Sequence, residues 1–129
     1  MNSSESAKNR SHLEAFFYRV PKMNHELIVN NLKQFIPWFE KNGVGIEYYQ
    51  FEGIQDIGGM PMVTIDRSLS ATEDEEVWME LQYYRDRKHR DETFAKMMQD
   101  KSLEPIGNEF FGLITKGSSI YTGGFNRLK

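Results

Sequence analysis

Apolar and polar positions alternate most clearly over Val77–Tyr84 (VWMELQYY). Val77, Met79, Leu81 and Tyr83 fall on one side and Trp78, Glu80, Gln82 and Tyr84 on the other, which is the period of a β-strand. Leu13–Pro21 (LEAFFYRVP) is dense in β-formers and closes at a proline that cannot donate to a ladder, so it reads as a first strand. Gly45–Gly53 (GIEYYQFEG) and Ser119–Arg127 (SIYTGGFNR) read as two more. Between the strands the period lengthens. Leu27, Ile28, Leu32, Phe35, Ile36 and Phe39 recur at helical spacing and predict a helix over 25–42, with Asn24 as cap, Gly43 as stop and a kink near Pro37. Phe94, Met97 and Met98 predict a core stripe on a second helix over 87–100, opened by Asp86. Two stretches show no period. Residues 54–76 hold Gly58-Gly59, Pro61 and the acidic run Glu73–Glu76, with Met62–Arg67 as a short extended piece; Glu104–Gly117, with Pro105 and three glycines, reads as irregular.

The order β-α-β, β-α-β predicts an α+β fold: a ferredoxin-like split βαβ unit with two helices on one face of a four-stranded antiparallel sheet. Aromatics fall on both sides of the strands: Phe16 and Tyr18 oppose Ala15 and Phe17, and Tyr48 opposes Tyr49 and Phe51. A soluble monomer rarely exposes so continuous an apolar surface. The expectation is therefore an isologous homodimer, a dimeric α+β barrel packed sheet to sheet and burying at least about 1,200 Å². Residues 1–12 are expected to form a flexible tail and 13–129 a single domain.

Composition narrows the chemistry. The 129 residues carry 16 Lys+Arg against 19 Asp+Glu, which supplies no basic field for polyanions, and nucleic acid is disfavoured as a partner. There is no cysteine, so disulfides, thiolate nucleophiles and Cys-ligated metals are excluded. No stretch approaches the roughly 20 apolar residues of a membrane span, and the polar first dozen residues lack the core of a secretory signal. The expectation is a cytoplasmic protein without membrane partners. His12, His25 and His89 form no ligand set and read as surface histidines; no metal site and no cofactor loop is expected.

The polar row of the third strand is the sharper candidate. Trp78, Glu80, Gln82 and Tyr84 are expected to point away from the helices into a partly dry sheet–sheet space, where Glu80 would hold its proton to a higher pH and suit acid–base work. The structural rival is that Glu80 and Gln82 only fix the register of a dimer seam. Arg85, Arg87, Lys88 and Arg90 crowd a helix start that prefers anions, so nearby carboxylates or an anionic ligand must compensate; Arg90 joins the ligand-binding candidates.

Several short stretches, in order and spacing, resemble the uncharacterised YbaA-like bacterial family of dimeric α+β barrels. They are Val20-Pro21, Pro37-x-Phe39 with Gly43, Glu75-Glu76-Val77, Arg90-Asp91, Lys96-Met97-Met98-x-Asp100 and Tyr121-x-Gly123-Gly124-Phe125, spanning about 13–127. Leu81 replaces a family tryptophan, and Asp100-Lys101-Ser102 stands where the family has Asp-Pro-Arg. The resemblance implies a fold but no established reaction. Binding of a small molecule by a homodimer leads the functional readings. The alternative is a cofactor-independent oxygenase or isomerase acting on a small aromatic or carbonyl substrate. RNA binding on sheet aromatics is the third class, and the signature motif of the RNA-recognition fold is missing.

Overall fold

The computed structural model describes residues 10–53 and 58–129. Four strands, β1 (His12–Pro21), β2 (Gly45–Gln50), β3 (Glu75–Tyr84) and β4 (Ile120–Asn126), form one antiparallel sheet in the order β2-β3-β1-β4. Three helices, α1 (His25–Lys41), α2 (Arg87–Gln99) and α3 (Glu104–Leu113), pack on it. The predicted strands match in position. The predicted tail lies, up to residue 9, outside the described residues, and His12 already belongs to β1. Within the stretch expected to be extended, Ile65–Ser68 instead makes a single helical turn.

α1 forms because one stripe is apolar and its end is well capped. Ile28, Leu32 and Phe39 are buried, and Asn31 shares their face. Gly43, at φ 76°, donates to Glu40 O at 3.0 Å, and Val44 N donates to Phe39 O at 2.9 Å, the paired bonds of a Schellman stop. Val44 and Phe39 then share a core cluster, the apolar contact that accompanies such a stop. At the other end Asn24 does not cap through its side chain, because its amide donates instead to Leu113 O at 2.8 Å and ties α1 to the end of α3. Asn31 makes a second tie: its amide donates to Ile106 O and to Glu109 Oε1.

α2 opens as expected, with Asp86 Oδ1 accepting from His89 N at 2.8 Å. Its core stripe is narrower than expected, for Phe94 and Met97 pack inward while Met98 is 87% exposed. α3 is the main departure: Glu104–Gly117 is not irregular, and the sheet carries three helices rather than two. Pro105 lies in the first turn, where its missing N–H breaks no bond.

The core lies between helices and sheet in two clusters. Tyr18, Val20 and Trp78 meet Ile28, Leu32 and Ile114; Ile46 and Tyr84 meet Phe39 and Val44. This reverses the expected orientation of β3. Trp78, Glu80, Gln82 and Tyr84 face the helices, and Val77, Met79, Leu81 and Tyr83 lie on the opposite face. The more polar row tolerates this position because its polar groups bond to one another, as set out below. Phe17, Tyr49, Phe51, Val77 and Met79 form a shallow apolar concavity on the other face, reached by Ile65 of the helical turn.

Candidate functional site

A cavity of about 330 Å³ lies between the sheet and the helices. Its walls are mostly apolar: Leu32, Phe35 and Phe39 from α1, Phe94 and Met97 from α2, Phe110 and Phe111 from α3, and Phe16, Tyr18 and Tyr48 from the sheet. Exposed Phe111, Ser119 and Tyr121 stand at its rim. The helix that sequence periodicity missed therefore supplies part of the wall.

Glu80 and Gln82 form the polar floor. Tyr84 Oη donates to Gln82 Oε1 at 2.7 Å, which orients the amide so that Gln82 Nε2 donates to Glu80 Oε2 at 2.6 Å. Glu80 retains some accessible surface because it lines the cavity, yet protein encloses it. Burial raises its pKa to about 7, and the hydrogen bond from Gln82 only partly opposes that rise. Among the described residues Glu80 has no ion-pair partner within 4.0 Å. Tyr18 is 1% exposed and feels the Glu80 charge, and its buried hydroxyl has no hydrogen-bond partner among the described residues. Burial first, then the Glu80 charge, push the Tyr18 and Tyr48 hydroxyls well above their ordinary range.

Behind the rim lies a second polar group. Glu14 is fully buried and accepts from Arg90 Nε at 3.0 Å and from the Tyr121 hydroxyl, and its other oxygen meets His12 Nε2 at 2.5 Å. Arg90 also donates to Tyr121 Oη at 3.2 Å, and its guanidinium lies 3.8 Å above the Phe94 ring. Opposed by its own partial burial, these bonds still raise the Arg90 pKa.

The sequence candidates thus separate. Glu80 and Gln82 reach the cavity. Tyr84 acts behind Gln82, and Arg90 acts behind Tyr121. Trp78 is a core residue whose indole donates to Glu76 Oε1 at 2.9 Å. Of the cations at the start of α2, Arg87 pairs with Asp91 at 3.1 Å, Lys88 with Glu92 at 4.0 Å, and Arg90 with Glu14 and Asp91. The histidines are not all surface groups: His12 and His89 are each 5% exposed. His89 Nδ1 accepts from Arg85 N while Nε2 meets Asn42 O at 2.8 Å, an arrangement that requires the Nε2–H tautomer. Sequence reading missed Glu14 and Tyr121; the available signal was a lone carboxylate within a run of β-formers.

Among the described residues no cluster of three or more His, Cys, Asp or Glu side chains is arranged to hold a metal, and no helix is long and apolar enough to cross a membrane. The molecule is an α+β protein with an antiparallel sheet, three helices and a carboxyl-floored apolar cavity between them. Residues 11–112 match the model of the family described as "Protein of unknown function (DUF1428)", and the chain belongs to that family. A search of the curated proteins finds no match.

Proposed function

We propose that this protein binds a small, largely apolar molecule in the cavity between sheet and helices, and that it does so as a homodimer. The observation that carries the reading is the enclosed carboxyl of Glu80, beside Gln82, on the floor of a mostly apolar cavity of about 330 Å³, a volume within the range of small-molecule sites. A packed core would fill such a space, since a void costs stability and a buried carboxyl costs more. The strand order and the two β-α-β halves fit the ferredoxin-like split βαβ unit. The dimer rests on β3: Met79, Leu81 and Tyr83 of its more apolar row are half-buried on the face away from the helices, and a second copy placed face to face would cover them. Such an assembly is the dimeric α+β barrel of the YbaA-like proteins.

The test is calorimetric titration with 2-ethylnaphthalene, an apolar probe that the cavity can hold. Micromolar to millimolar binding to the wild type, lost in a folded Met97→Trp variant that fills the cavity, supports the reading. Equal binding to both proteins overturns it.

A catalytic reading keeps a place because Glu80 titrates near neutrality. A cofactor-independent isomerase or oxygenase would use Glu80 to move a proton to or from a carbonyl or phenolic substrate. Turnover that vanishes in Glu80→Gln while binding persists distinguishes it from binding alone.

A further inference from the structure

Resting on the proposed cavity, we infer the class of molecule it selects: an apolar ligand bearing a carbonyl oxygen, which accepts a hydrogen bond from the Glu80 carboxyl group. The argument begins with the groups around Glu80. β1 presents Tyr18, β2 presents Tyr48, and β3 itself contributes Gln82 with Tyr84 behind it. β4 contributes Tyr121, whose hydroxyl is engaged by Glu14, and all three helices line the cavity with apolar side chains. No cation faces Glu80 within ion-pairing distance among the described residues, because Arg90, the cation near this wall, is held by Glu14 and Asp91.

An ionised carboxylate without a counter-ion in such a space is disfavoured, so the neutral acid is the resting form below neutral pH. Gln82 Nε2 donates to Oε2, which marks that oxygen as the acceptor of the pair. The proton then belongs on Oε1, and a neutral acid has a donor to offer. Tyr84 fixes Gln82, and Gln82 holds Oε2 of Glu80, so the carboxyl group is positioned before a ligand arrives. An apolar body fills the aromatic walls while one oxygen meets the floor. An amine would instead require the carboxylate and would bind better as pH rises.

The test uses three probes with a common apolar body, 2-acetylnaphthalene, 2-ethylnaphthalene and 2-naphthylmethylamine, titrated calorimetrically at pH 6 and pH 8.5. At pH 6 the ketone should bind about tenfold more tightly than the hydrocarbon, the worth of one good hydrogen bond. At pH 8.5 that advantage should vanish as Glu80 ionises. Glu80→Gln, whose amide also donates, should keep the preference for ketone at both pH values; Glu80→Leu should abolish it while still binding the hydrocarbon. Equal affinity for ketone and hydrocarbon at pH 6 overturns the inference and leaves the cavity reading standing. Tightest binding of the amine, rising with pH, overturns it in favour of a cationic ligand. Failure of all three probes to bind overturns both readings.

Discussion

Gly124 of β4 lies directly across from Glu14 of β1, so close that a β-carbon at position 124 would stand 2.6 Å from Glu14 Oε2 and 2.6 Å from His12 Cε1. The missing side chain is what lets the Glu14 carboxyl and the His12 ring lie under β4, next to the bulge between Glu14 and Phe16. Gly124→Ala should therefore destabilise by about 1–3 kcal/mol, the usual cost of overpacking. Its neighbour Gly123, at φ 97° with open space around it, should lose only about 1–2 kcal/mol on substitution by alanine, for backbone reasons. Urea unfolding of the two variants compares them, and a Gly124→Ala variant no less stable than Gly123→Ala sinks the close-approach argument.

Glu80 makes stability depend on pH in a direction opposite to most carboxylates. Its pKa rises from 4.5 to about 7 on folding, so the folded state holds the proton more tightly than the unfolded chain. The contribution is complete below pH 4.5 and is lost as pH climbs through about 7, amounting to about 3 kcal/mol. Glu80→Gln should flatten this limb in denaturation curves taken from pH 5 to pH 8. An unchanged slope in the variant argues that the group is not enclosed as described.

Glu75 acts the other way. Despite the opposing effect of its own burial, hydrogen bonds from Thr115 Oγ1 at 2.5 Å, Thr72 N at 2.9 Å and Arg19 at 3.0 Å hold its pKa at about 2. Stability from this group is complete above pH 4.5 and is lost as pH falls through about 2. Because Arg19 is partly solvated, the gain is discounted to about 1–2 kcal/mol. Thr115→Val should cost its share of this stability in full at pH 7 and shift the acid midpoint upward, both read from circular dichroism.

The proposed homodimer predicts a mass in light scattering twice the 15.1 kDa of one chain. Met79→Lys places a charge in the middle of the apolar face away from the helices and should yield folded monomers, since desolvating an unpaired ammonium disfavours association. A wild type that remains monomeric at micromolar concentration defeats the proposal.

The strands are legible because β3 alternates residue by residue and β1 and β2 are dense in β-formers bounded by proline or glycine. Which row meets the helices was not legible. Glu80 and Gln82 made their row look solvent-facing, and nothing in a linear pattern shows that Tyr84, Gln82 and Glu80 satisfy one another in sequence. α3 escaped because Pro105, Gly107 and Gly112 lower helical propensity, although Ile106, Phe110 and Leu113 carry the helical spacing. Glu80 and Gln82 are thus visible as residue types, whereas the enclosure that gives them their chemistry comes from the packing of three helices, one of them with weak local signals.

The arrangement β2-β3-β1-β4 also gives the sheet short edges. The two ten-residue strands are central, and the rims are strands of six and seven residues, one of them broken by a bulge and a pair of glycines. Short, irregular rims are poor templates for a further strand, so the sheet resists growth sideways into fibrils.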